Sequence, residues 1–579
     1  SLGRKKILAL AIPLLMAAQV QGVEFNYGEI EGSFDTQVSL GSSWRVESQD
    51  SNLTVNRDGT VANSDDGNKN FKSGDAFSQI FKASHDLQFS YKNFGGFVRG
   101  KYWYDSAMAN NRVDYGHGPT EVNNGVDGAK LTYDGSDTQL DDSNFNDLSK
   151  ASGATLLDAF VYGEFEVGDM PLDVRLGKQV VSWGESTFIR GGINAINPVD
   201  VSAFRRPGAE IKEGLLPVNM LYANIGLTDN LSMETFYQLE FQETVIEGCG
   251  TFFSTNDYAA EGCNSVSISG GAISLARDED GLRKAKDDGQ FGVAFRYISE
   301  ELGDTEFGLY FMNIHSRAPI VDGAYHSLNA TLEGPIYVTG ANLVYETQNL
   351  ATVAGEVPAA LQVGIDAGDA GSIALQAAAV RAGKGYVGGA RAAGASYFVT
   401  YPEDQQIAGL SFATNVGSMA LSGEVSHHPD TPIQINGPML IQALVSGPTE
   451  SPATEIQTLV LSPGEIVEGS REFDVSQVQL TAIKFFDQVA GASRVALIAE
   501  AGYTYIHSFD EGDEAIKFGR SDIFGTPGEP NSEDDGFVTT NSWGYRGRLV
   551  ADYSDVFMGV NLRPMLAWSH DVEGYAPQP

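Results

Sequence analysis

The sequence predicts an all-β fold, an antiparallel transmembrane β-barrel, and three observations support it. Segments near the roughly 9–11 residues that a tilted strand needs to cross a bilayer alternate apolar and polar residues. Very short turns join these segments in pairs. Long polar loops separate each pair from the next. This strict order is typical of outer-membrane barrels, in which the short turns are periplasmic and the long loops are extracellular.

The N-terminus has the features of an export signal. Arg4, Lys5 and Lys6 are basic, residues 7–18 are apolar apart from Pro13, and residues 20–22 offer a cleavage site. Such a segment is typical of a signal peptide and is too short to span a membrane. We therefore expect residues 1–22 to be removed and residues 23–579 to form the exported barrel.

Fifteen strands are predicted in the mature chain. One unpaired strand, residues 32–46, comes first. Seven pairs follow it: 87–91 with 98–104, 159–165 with 172–183, 221–227 with 231–241, 291–297 with 307–314, 407–414 with 419–427, 475–486 with 494–505, and 543–553 with 556–569. Bacterial single-chain barrels usually have an even number of strands. We therefore expect at least one further strand beyond residue 579 and a barrel of 16–18 strands in all.

The long connections predicted between the pairs are 48–79, 106–154, 184–216, 244–288, 316–405, 429–473 and 507–540. The connection 316–405 is too long for a plain loop. Its Ala-rich part, 358–381, predicts a weak helix interrupted by glycines. We expect this connection to form either a plug in the lumen or an external cap, with a disordered surface loop as the alternative.

The net charge of −39 argues against nucleic acid as a partner, because phosphate binding needs a basic surface. The acidic residues are concentrated in residues 64–70, 114–147 and 510–535. Such runs are usually solvated loops. The alternative is that they bind divalent cations and lie against lipopolysaccharide.

The two cysteines of the chain, Cys249 and Cys263, lie close together in a polar segment. In an exported protein this spacing favours a disulfide that closes a local loop. A zinc pair is the alternative, and the absence of a nearby histidine in the sequence argues against it.

The motifs that would indicate an enzyme are weak. Residues 383–388 match the letters of a dinucleotide fingerprint, but they follow an Ala-rich run without a surrounding βαβ unit. The sequence has no Gly-x-Ser-x-Gly elbow, phosphate loop or zinc signature. We expect no cofactor and no catalytic role. A lipid hydrolase in a barrel would need a serine and a histidine at matching height on neighbouring strands, and His427, His507 and His570 are the positions to inspect.

A candidate constriction follows from the segment 175–186. If Val174 and Leu176 face lipid, the alternating residues of that strand face the lumen, where polar side chains control passage. Further basic residues follow in an otherwise acidic chain. The candidate residues are Arg175, Gln179, Trp183, Glu185, Arg190, Arg205 and Arg206. Their alternative role is to form salt bridges with loop carboxylates, each worth about 0–1 kcal/mol when exposed.

The segment from Arg175 to Pro217, RLGKQVVSWGESTFIRGGINAINPVDVSAFRRPGAEIKEGLLP, resembles the hallmark of a proteobacterial, Pseudomonas-type outer-membrane family catalogued as a domain of unknown function (DUF1302). The stretches GEIEGSFDTQVSLG, CGTFFSTNDY-to-GC and SGEVSHHPDTPIQIN resemble it too, so the resemblance covers essentially the whole mature chain. It implies about three further strands and a barrel of about eighteen. It also implies an association with a transporter resembling the resistance-nodulation-division (RND) exporters and with a periplasmic lipid-binding protein.

The leading hypothesis is therefore an outer-membrane barrel, in contact with lipid and lipopolysaccharide, that transports a hydrophobic or lipid-like substrate. An RND-type inner-membrane partner would supply the energy. The first alternative is a diffusion porin, and the second is an outer-membrane lipid hydrolase. An adhesin role for the acidic loops is the third alternative.

Overall fold

The structure is a computed structural model. It describes residues 14–50, 53, 66–114, 138–209, 211–255, 257–268, 273–324, 372, 375–376, 379, 395–445, 466–512, 516–524, 535–557 and 560–577. The strands, numbered in chain order, are β1 (Leu14–Tyr27), β2 (Ile30–Trp44), β3 (Ala76–Tyr91), β4 (Phe94–Asp105), β5 (Arg112–Val113), β6 (Thr138–Gln139), β7 (Ser152–Val167), β8 (Met170–Gln179), β9 (Val218–Thr228), β10 (Leu231–Gln238), β11 (Ser265–Ile268), β12 (Ile273–Arg283), β13 (Phe291–Ser299), β14 (Thr305–Ile314), β15 (Ile320–Ala324), β16 (Ser396–Thr400), β17 (Gln405–Val416), β18 (Met419–Gln434), β19 (Ile466–Val467), β20 (Ser470–Asp487), β21 (Arg494–Ile506), β22 (Asn541–Phe557), β23 (Val560–Leu562) and β24 (Met565–Glu573).

The helices are short. They are α1 (Asp66–Asn70), α2 (Ser106–Asn110), α3 (Val201–Arg205), α4 (Ile211–Gly214) and α5 (Gly437–Val445), with 3₁₀ turns at Glu300–Leu302 and Asp522–Phe524. None of the helices in the described ranges has the length and apolar character needed to cross a membrane.

A single antiparallel sheet of 17 strands contains most of the regular structure. Each strand of this sheet pairs with the strand that precedes it and the one that follows it in the sheet, from β1–β2 through to β22 with β23 and β24. Strands β23 and β24 are two pieces of one return path along β22, so the residues that the structure describes make sixteen passes. In the described part of the chain, β1 and β24 do not pair with each other. The predicted all-β antiparallel fold is confirmed.

The described residues contain one strand more than the fifteen predicted, because the strand predicted as unpaired has a partner. Strand β2 pairs with β1 across the two-residue turn Gly28-Glu29, and Gly28 has a φ of 65°. A glycine adopts this left-handed conformation without the steric cost of a Cβ. Strand β1 was overlooked because it begins inside the segment assigned to the signal peptide. Removal of that segment stays a prediction.

Short and long connections alternate as predicted. Short turns follow β1, β3, β7, β9, β13, β17, β20 and β22, and long connections follow the strands between them. All the short turns therefore lie at one end of the sheet and all the long connections at the other. We call these the short-turn end and the long-loop end.

At the long-loop end, β11, β12, β15, β16 and β19 form a second sheet. Helix α5 packs beside it through Leu440 and Leu444, in a buried cluster with Val266, Leu275 and Tyr397. Both described ends of the connection 316–405 belong to this second sheet. In its Ala-rich part, Ser372, Leu375, Gln376 and Ala379 are helical, and the rest of that prediction lies outside the described residues.

The predicted disulfide is confirmed. Cys249 and Cys263 are bonded, with their Cα atoms 5.3 Å apart, and they pack in a buried cluster with Phe71, Phe77 and Phe145. Much of the acidic runs 114–147 and 510–535 lies outside the described residues, so their cation-binding role stays a prediction. Among the residues that the structure places, no group of three or more His, Cys, Asp or Glu side chains is arranged to hold a metal ion.

The two faces of the large sheet differ sharply. On β14, Leu309 and Phe311 are exposed, whereas Tyr310 and Met312 are buried. Successive side chains of a strand point to opposite faces. One face is therefore apolar and exposed, and the other covers an interior.

Candidate functional site

The interior contains the connection between β8 and β9, residues 180–217, which we call the plug segment. The predicted strand 172–183 is wrong at its end, because β8 stops at Gln179 and the chain then turns inward. The plug segment contacts the inner faces of β2, β3, β4, β10, β14, β17, β18, β20, β21 and β22. A single segment reaches all these strands only because the sheet curls around it as a barrel.

Trp183 anchors the start of the plug segment in an apolar cluster. Its side chain is completely buried, and its ring lies 5.0 Å from that of Phe236 and 5.9 Å from that of Tyr310, measured between centroids. The indole Nε1–H donates a 2.8 Å hydrogen bond to Glu234. Removing a buried aromatic side chain typically costs about 3–5 kcal/mol. Trp183 therefore fixes the start of the plug segment to the wall.

Glu424, on the inner face of β18, binds three backbone N–H groups of the plug segment. Its Oε2 accepts hydrogen bonds from the amides of Glu185, at 2.5 Å, and Ser186, at 3.1 Å. Its Oε1 accepts from the amide of Ile193 at 2.9 Å. The carboxylate thereby satisfies donors that lie outside regular secondary structure. A buried N–H group left unpaired would cost about 1–3 kcal/mol.

Glu500, on the inner face of β21, does the same for the next part of the segment. Its carboxylate accepts from the amides of Thr187 at 2.6 Å, Phe188 at 3.1 Å and Ile189 at 2.5 Å. Both Glu424 and Glu500 are buried. Two carboxylates on different strands thus bind consecutive amides from residue 185 to residue 189.

Glycines allow this close approach. Gly184 and Gly191 have φ values of 82° and 87°, which side-chain-bearing residues rarely adopt. A Cβ at Gly192 would overlap Oε1 of Glu424. The three glycines of this stretch are therefore needed for the backbone to reach the carboxylates.

The distal half of the plug segment is held by ion pairs. Lys82 on β3 binds Glu213 at 2.5 Å and the carbonyl of Gly208 at 2.7 Å. Lys101 on β4 lies 3.5 Å from Asp200 and donates to the carbonyl of Glu213 at 3.1 Å. The four charged side chains of these two pairs are all buried, so breaking one pair would leave an uncompensated charge.

Arg205 and Arg206, at the end of α3, contact the long loops. Arg205 pairs with Glu247 at 2.7 Å. Arg206 donates to the carbonyl of Leu148 at 2.8 Å, and its guanidinium lies 4.9 Å from the ring centroid of Trp103. Burial lowers the pKa of Arg206 from its usual value. For Arg205, the alternative role of salt bridging to a loop carboxylate is the one that the structure shows.

Arg190 and Glu185 lie in the other half of the plug segment. The carbonyl of Arg190 accepts from Gln477 at 2.9 Å, and its guanidinium has no hydrogen-bond or ion-pair partner among the described residues. Burial lowers the pKa of Arg190, and so does nearby Arg205. Burial raises the pKa of Glu185 to about 7, with Glu306 and Glu424 adding to the rise and Arg296 opposing it.

The two remaining candidate residues belong to the wall of the barrel. Gln179 is buried and donates to the carbonyl of Met220 at 3.1 Å. Arg175 pairs with Asp173 at 3.1 Å and lies 5.1 Å from the ring centroid of Tyr222. The seven candidates therefore surround or belong to the plug segment but do not form one ring. Their role as a constriction stays a prediction.

Sequence reasoning missed the wall residues that bind the plug segment: Lys82, Lys101, Glu424, Gln477, Gln479 and Glu500. The available signal was the alternation of the strands, because a charged residue at an inward position needs a partner. The sequence does not show which partner, since the plug segment lies more than 200 residues from Glu424 and Glu500 along the chain.

Comparison with known proteins identifies a family. The family model described as "Protein of unknown function (DUF1302)" matches residues 4–579, which confirms the resemblance. No curated protein matches the chain.

Several solved structures align along the chain at low similarity. OmpF of Salmonella typhi in complex with daunomycin is 7% identical over 95% of this chain and 100% of its own, with a TM-score of 0.31. The outer membrane channel DcaP of Acinetobacter baumannii is 7% identical over 95% of this chain and 100% of its own, with a TM-score of 0.31. The high-pH structure of OprB of Pseudomonas putida is 9% identical over 93% of this chain and 89% of its own, with a TM-score of 0.32. TM-scores this low carry no argument about function.

We predict that removing both carboxylates releases the plug segment. In a Glu424→Ala/Glu500→Ala variant, the backbone amides of residues 185–189 and of residue 193 lose their acceptors, which we expect to cost about 2 kcal/mol or more. Hydrogen–deuterium exchange of this stretch should become at least about 30-fold faster, because 1.4 kcal/mol corresponds to a factor of ten. Glu472→Ala, which removes an exposed carboxylate of β20, is the control. If these amides exchanged as slowly in the double variant as in the wild-type protein, the claim that Glu424 and Glu500 hold the plug segment would be contradicted.

We also predict that docking of the plug segment weakens as the pH rises. The docked form binds the proton of Glu185 more tightly, with a pKa of about 7 against the usual 4.5. Docking is therefore strongest below the usual pKa and loses stability as the pH rises through about 7. After correction for intrinsic exchange, residues 186–193 should be less protected at about pH 8 than at about pH 5. Glu185→Gln should reduce this difference, and an unaltered difference would exclude Glu185 as its source.

Proposed function

This chain belongs to the family described as protein of unknown function (DUF1302), and from that premise we propose that it forms an outer-membrane transport barrel closed at rest by the plug segment. The observation that carries the proposal is the set of contacts that the plug segment makes around the inner wall. Because this segment contacts ten strands, it lies across the lumen, and we propose that it obstructs the path that a diffusion channel would keep open.

The outward face of the sheet supports a location in a bilayer. Large apolar side chains are exposed on strand after strand: Phe81, Val161, Leu176, Leu221, Leu309, Leu410, Val425, Leu480, Tyr503 and Trp543. An apolar outward face combined with short turns at one end and long loops at the other is the pattern of outer-membrane barrels. In this orientation the short-turn end faces the periplasm.

A recess on the outward face supports a hydrophobic or lipid-like substrate. It has a volume of about 400 Å³ and lies near the short-turn end, between β3, β4, β7 and β8. Phe89, Phe94, Val161, Phe165 and Leu176 line it. A recess of this lining and position fits an acyl chain at the periplasmic edge of the membrane. It also lies on β8, the strand that leads into the plug segment.

The proposal includes a partner protein that supplies energy, because moving a segment held by buried charges costs free energy. The sequence has no phosphate loop that would bind a nucleotide. We propose that an RND-type inner-membrane transporter and a periplasmic lipid-binding protein act at the short-turn end. Cross-linking in cells, followed by mass spectrometry, tests for partners at the turn residues Lys92 and Asp229.

The inner wall favours a second candidate, a substrate-specific diffusion porin. Arg99 pairs with Asp86 at 2.8 Å and with Asp158 at 3.1 Å. Arg296 pairs with Glu234 at 2.7 Å and with Glu306 at 2.6 Å. Apart from the buried Asp158, these charged side chains are partly exposed inside the barrel, as expected of a water-filled vestibule that admits polar solutes.

Ion conductance in planar bilayers distinguishes the two candidates. We expect the wild-type protein to be nearly silent and the Glu424→Ala/Glu500→Ala variant to show discrete open steps, because the lumen opens when the plug segment is released. Glu472→Ala should stay silent. A wild-type protein that conducts as steadily as the double variant would overturn the closed conduit and favour the porin. Lipid that is retained after purification in mild detergent, and identified by mass spectrometry, would separately support the substrate class.

A further inference from the structure

Three side chains meet on the outward face of the barrel near the long-loop end. His427 lies on β18, Ser476 on β20, and His507 immediately after β21. The Oγ atom of Ser476 lies 3.0 Å from Nδ1 of His427 and 2.9 Å from Nε2 of His507. Ser476 is directly opposite His427 in the β18–β20 ladder and opposite Tyr505 in the β20–β21 ladder. The serine is therefore fixed between two imidazoles by the register of three strands.

The position of this group relative to the membrane is defined by its neighbours. Val425 and Val478, the next outward residues towards the short-turn end, are 48% and 46% exposed. On the opposite side, the exposed residues Asp430 and Asp474 are joined by a hydrogen bond from the Asp430 amide. The three side chains thus lie at a boundary between an apolar surface and an acidic one. In the proposed orientation, this boundary is at the headgroup level of the outer leaflet.

The local backbone departs from regular pairing beside His427. The register of β18 against β20 shifts between His428 and Thr431, and Asp430 has a φ of 49°. Bulges of this kind redirect side chains and occur often next to active sites. His507 is also held in place, because its amide donates to the carbonyl of Asp474 at 2.9 Å and its ring packs edge-on against Tyr505 at 4.7 Å.

The hydrogen bonds of Ser476 give the two histidines different roles. A hydroxyl has one hydrogen to donate, so it donates to one imidazole and accepts from the other. If His427 donates its Nδ1–H to Oγ, the hydroxyl hydrogen points to Nε2 of His507. In this arrangement His507 is the base of a serine–histidine pair.

We propose that Ser476 is the nucleophile of a membrane-facing esterase site that cleaves acyl esters of phospholipids. This activity goes beyond the proposed transport function. Oγ of Ser476 attacks the ester carbonyl carbon while its proton passes to Nε2 of His507. The ester C–O bond then breaks, and the departing alcohol takes that proton. Water hydrolyses the acyl–serine ester by the same route, releasing a fatty acid and restoring the hydroxyl.

Two other contacts between a hydroxyl and a histidine on the outward face differ from the group around Ser476. Thr36 Oγ1 lies 2.9 Å from Nδ1 of His85, so that pair has a hydroxyl and a single imidazole. Nδ1 of His570 lies 3.1 Å from the hydroxyl of Tyr545. Of the three histidines singled out from the sequence, His427 and His507 therefore meet a serine on a neighbouring strand, whereas His570 meets a tyrosine. The Thr36–His85 pair provides a matched control.

The test uses the full chain in mixed micelles with dioleoylphosphatidylethanolamine, and it measures released oleate by mass spectrometry. We expect the wild-type protein to release oleate and to form a covalent fluorophosphonate adduct at Ser476. Ser476→Ala should abolish the adduct and slow the release by more than about 100-fold, and His507→Gln should slow both by about 100-fold. Thr36→Val should leave both unchanged. Heat-modifiable electrophoretic migration verifies that each variant is folded.

The proposal is overturned if the wild-type protein releases no oleate and forms no adduct at Ser476, since that result does not depend on any variant. It is also overturned if folded Ser476→Ala releases oleate as fast as the wild-type protein. Neither outcome measures transport. If the esterase proposal fails, the proposed transport function is therefore still tested separately by ion conductance.

Discussion

The need to pair buried backbone N–H groups determines how the interior of this barrel is organised. An irregular segment inside a barrel cannot use a ladder for its amides, and leaving them unpaired is costly. Glu424 and Glu500 meet this need, because each carboxylate accepts several amides of the plug segment. The glycines at 184, 191 and 192, the burial of Trp183 and the raised pKa of Glu185 all follow from this close approach of backbone to wall.

The barrel separates two kinds of chemistry by strand alternation. Inward positions carry the charges and amides that hold the plug segment, such as Gln477 and Gln479 on β20. The outward positions of the same strand carry Val478 and Leu480, with Ser476 at the boundary. A closed lumen and an outward-facing serine can therefore act independently, since no side chain serves both faces. The apolar recess near the short-turn end is a third feature, and it lies on strands remote from Ser476 in the sheet.

The sequence predicted what depends on local pattern. Alternation and turn spacing located seven of the eight strand pairs, and two cysteines in an exported chain were enough to predict their bond. The strand β1 was missed because the apolar residues before Gly28 fit a leader as well as a strand. The end of β8 was misplaced because Val180–Trp183 is still mostly apolar, and only the long-range contacts of Trp183 turn it inward. For Glu424 and Glu500, strand alternation indicates an inward position but not the partner, since the amides that they bind are distant in the chain.

The most direct test of the docked plug segment is a disulfide between Ile189→Cys and Gly502→Cys in native outer membranes. A Cβ at Gly502 would lie 3.7 Å from the Cβ of Ile189, which is within the range for a disulfide. The native cysteines are already bonded to each other, so the new pair reacts alone. The account predicts spontaneous, near-complete cross-linking without added oxidant. Free thiols at both positions, accessible to a membrane-impermeant maleimide in a folded barrel, would contradict it.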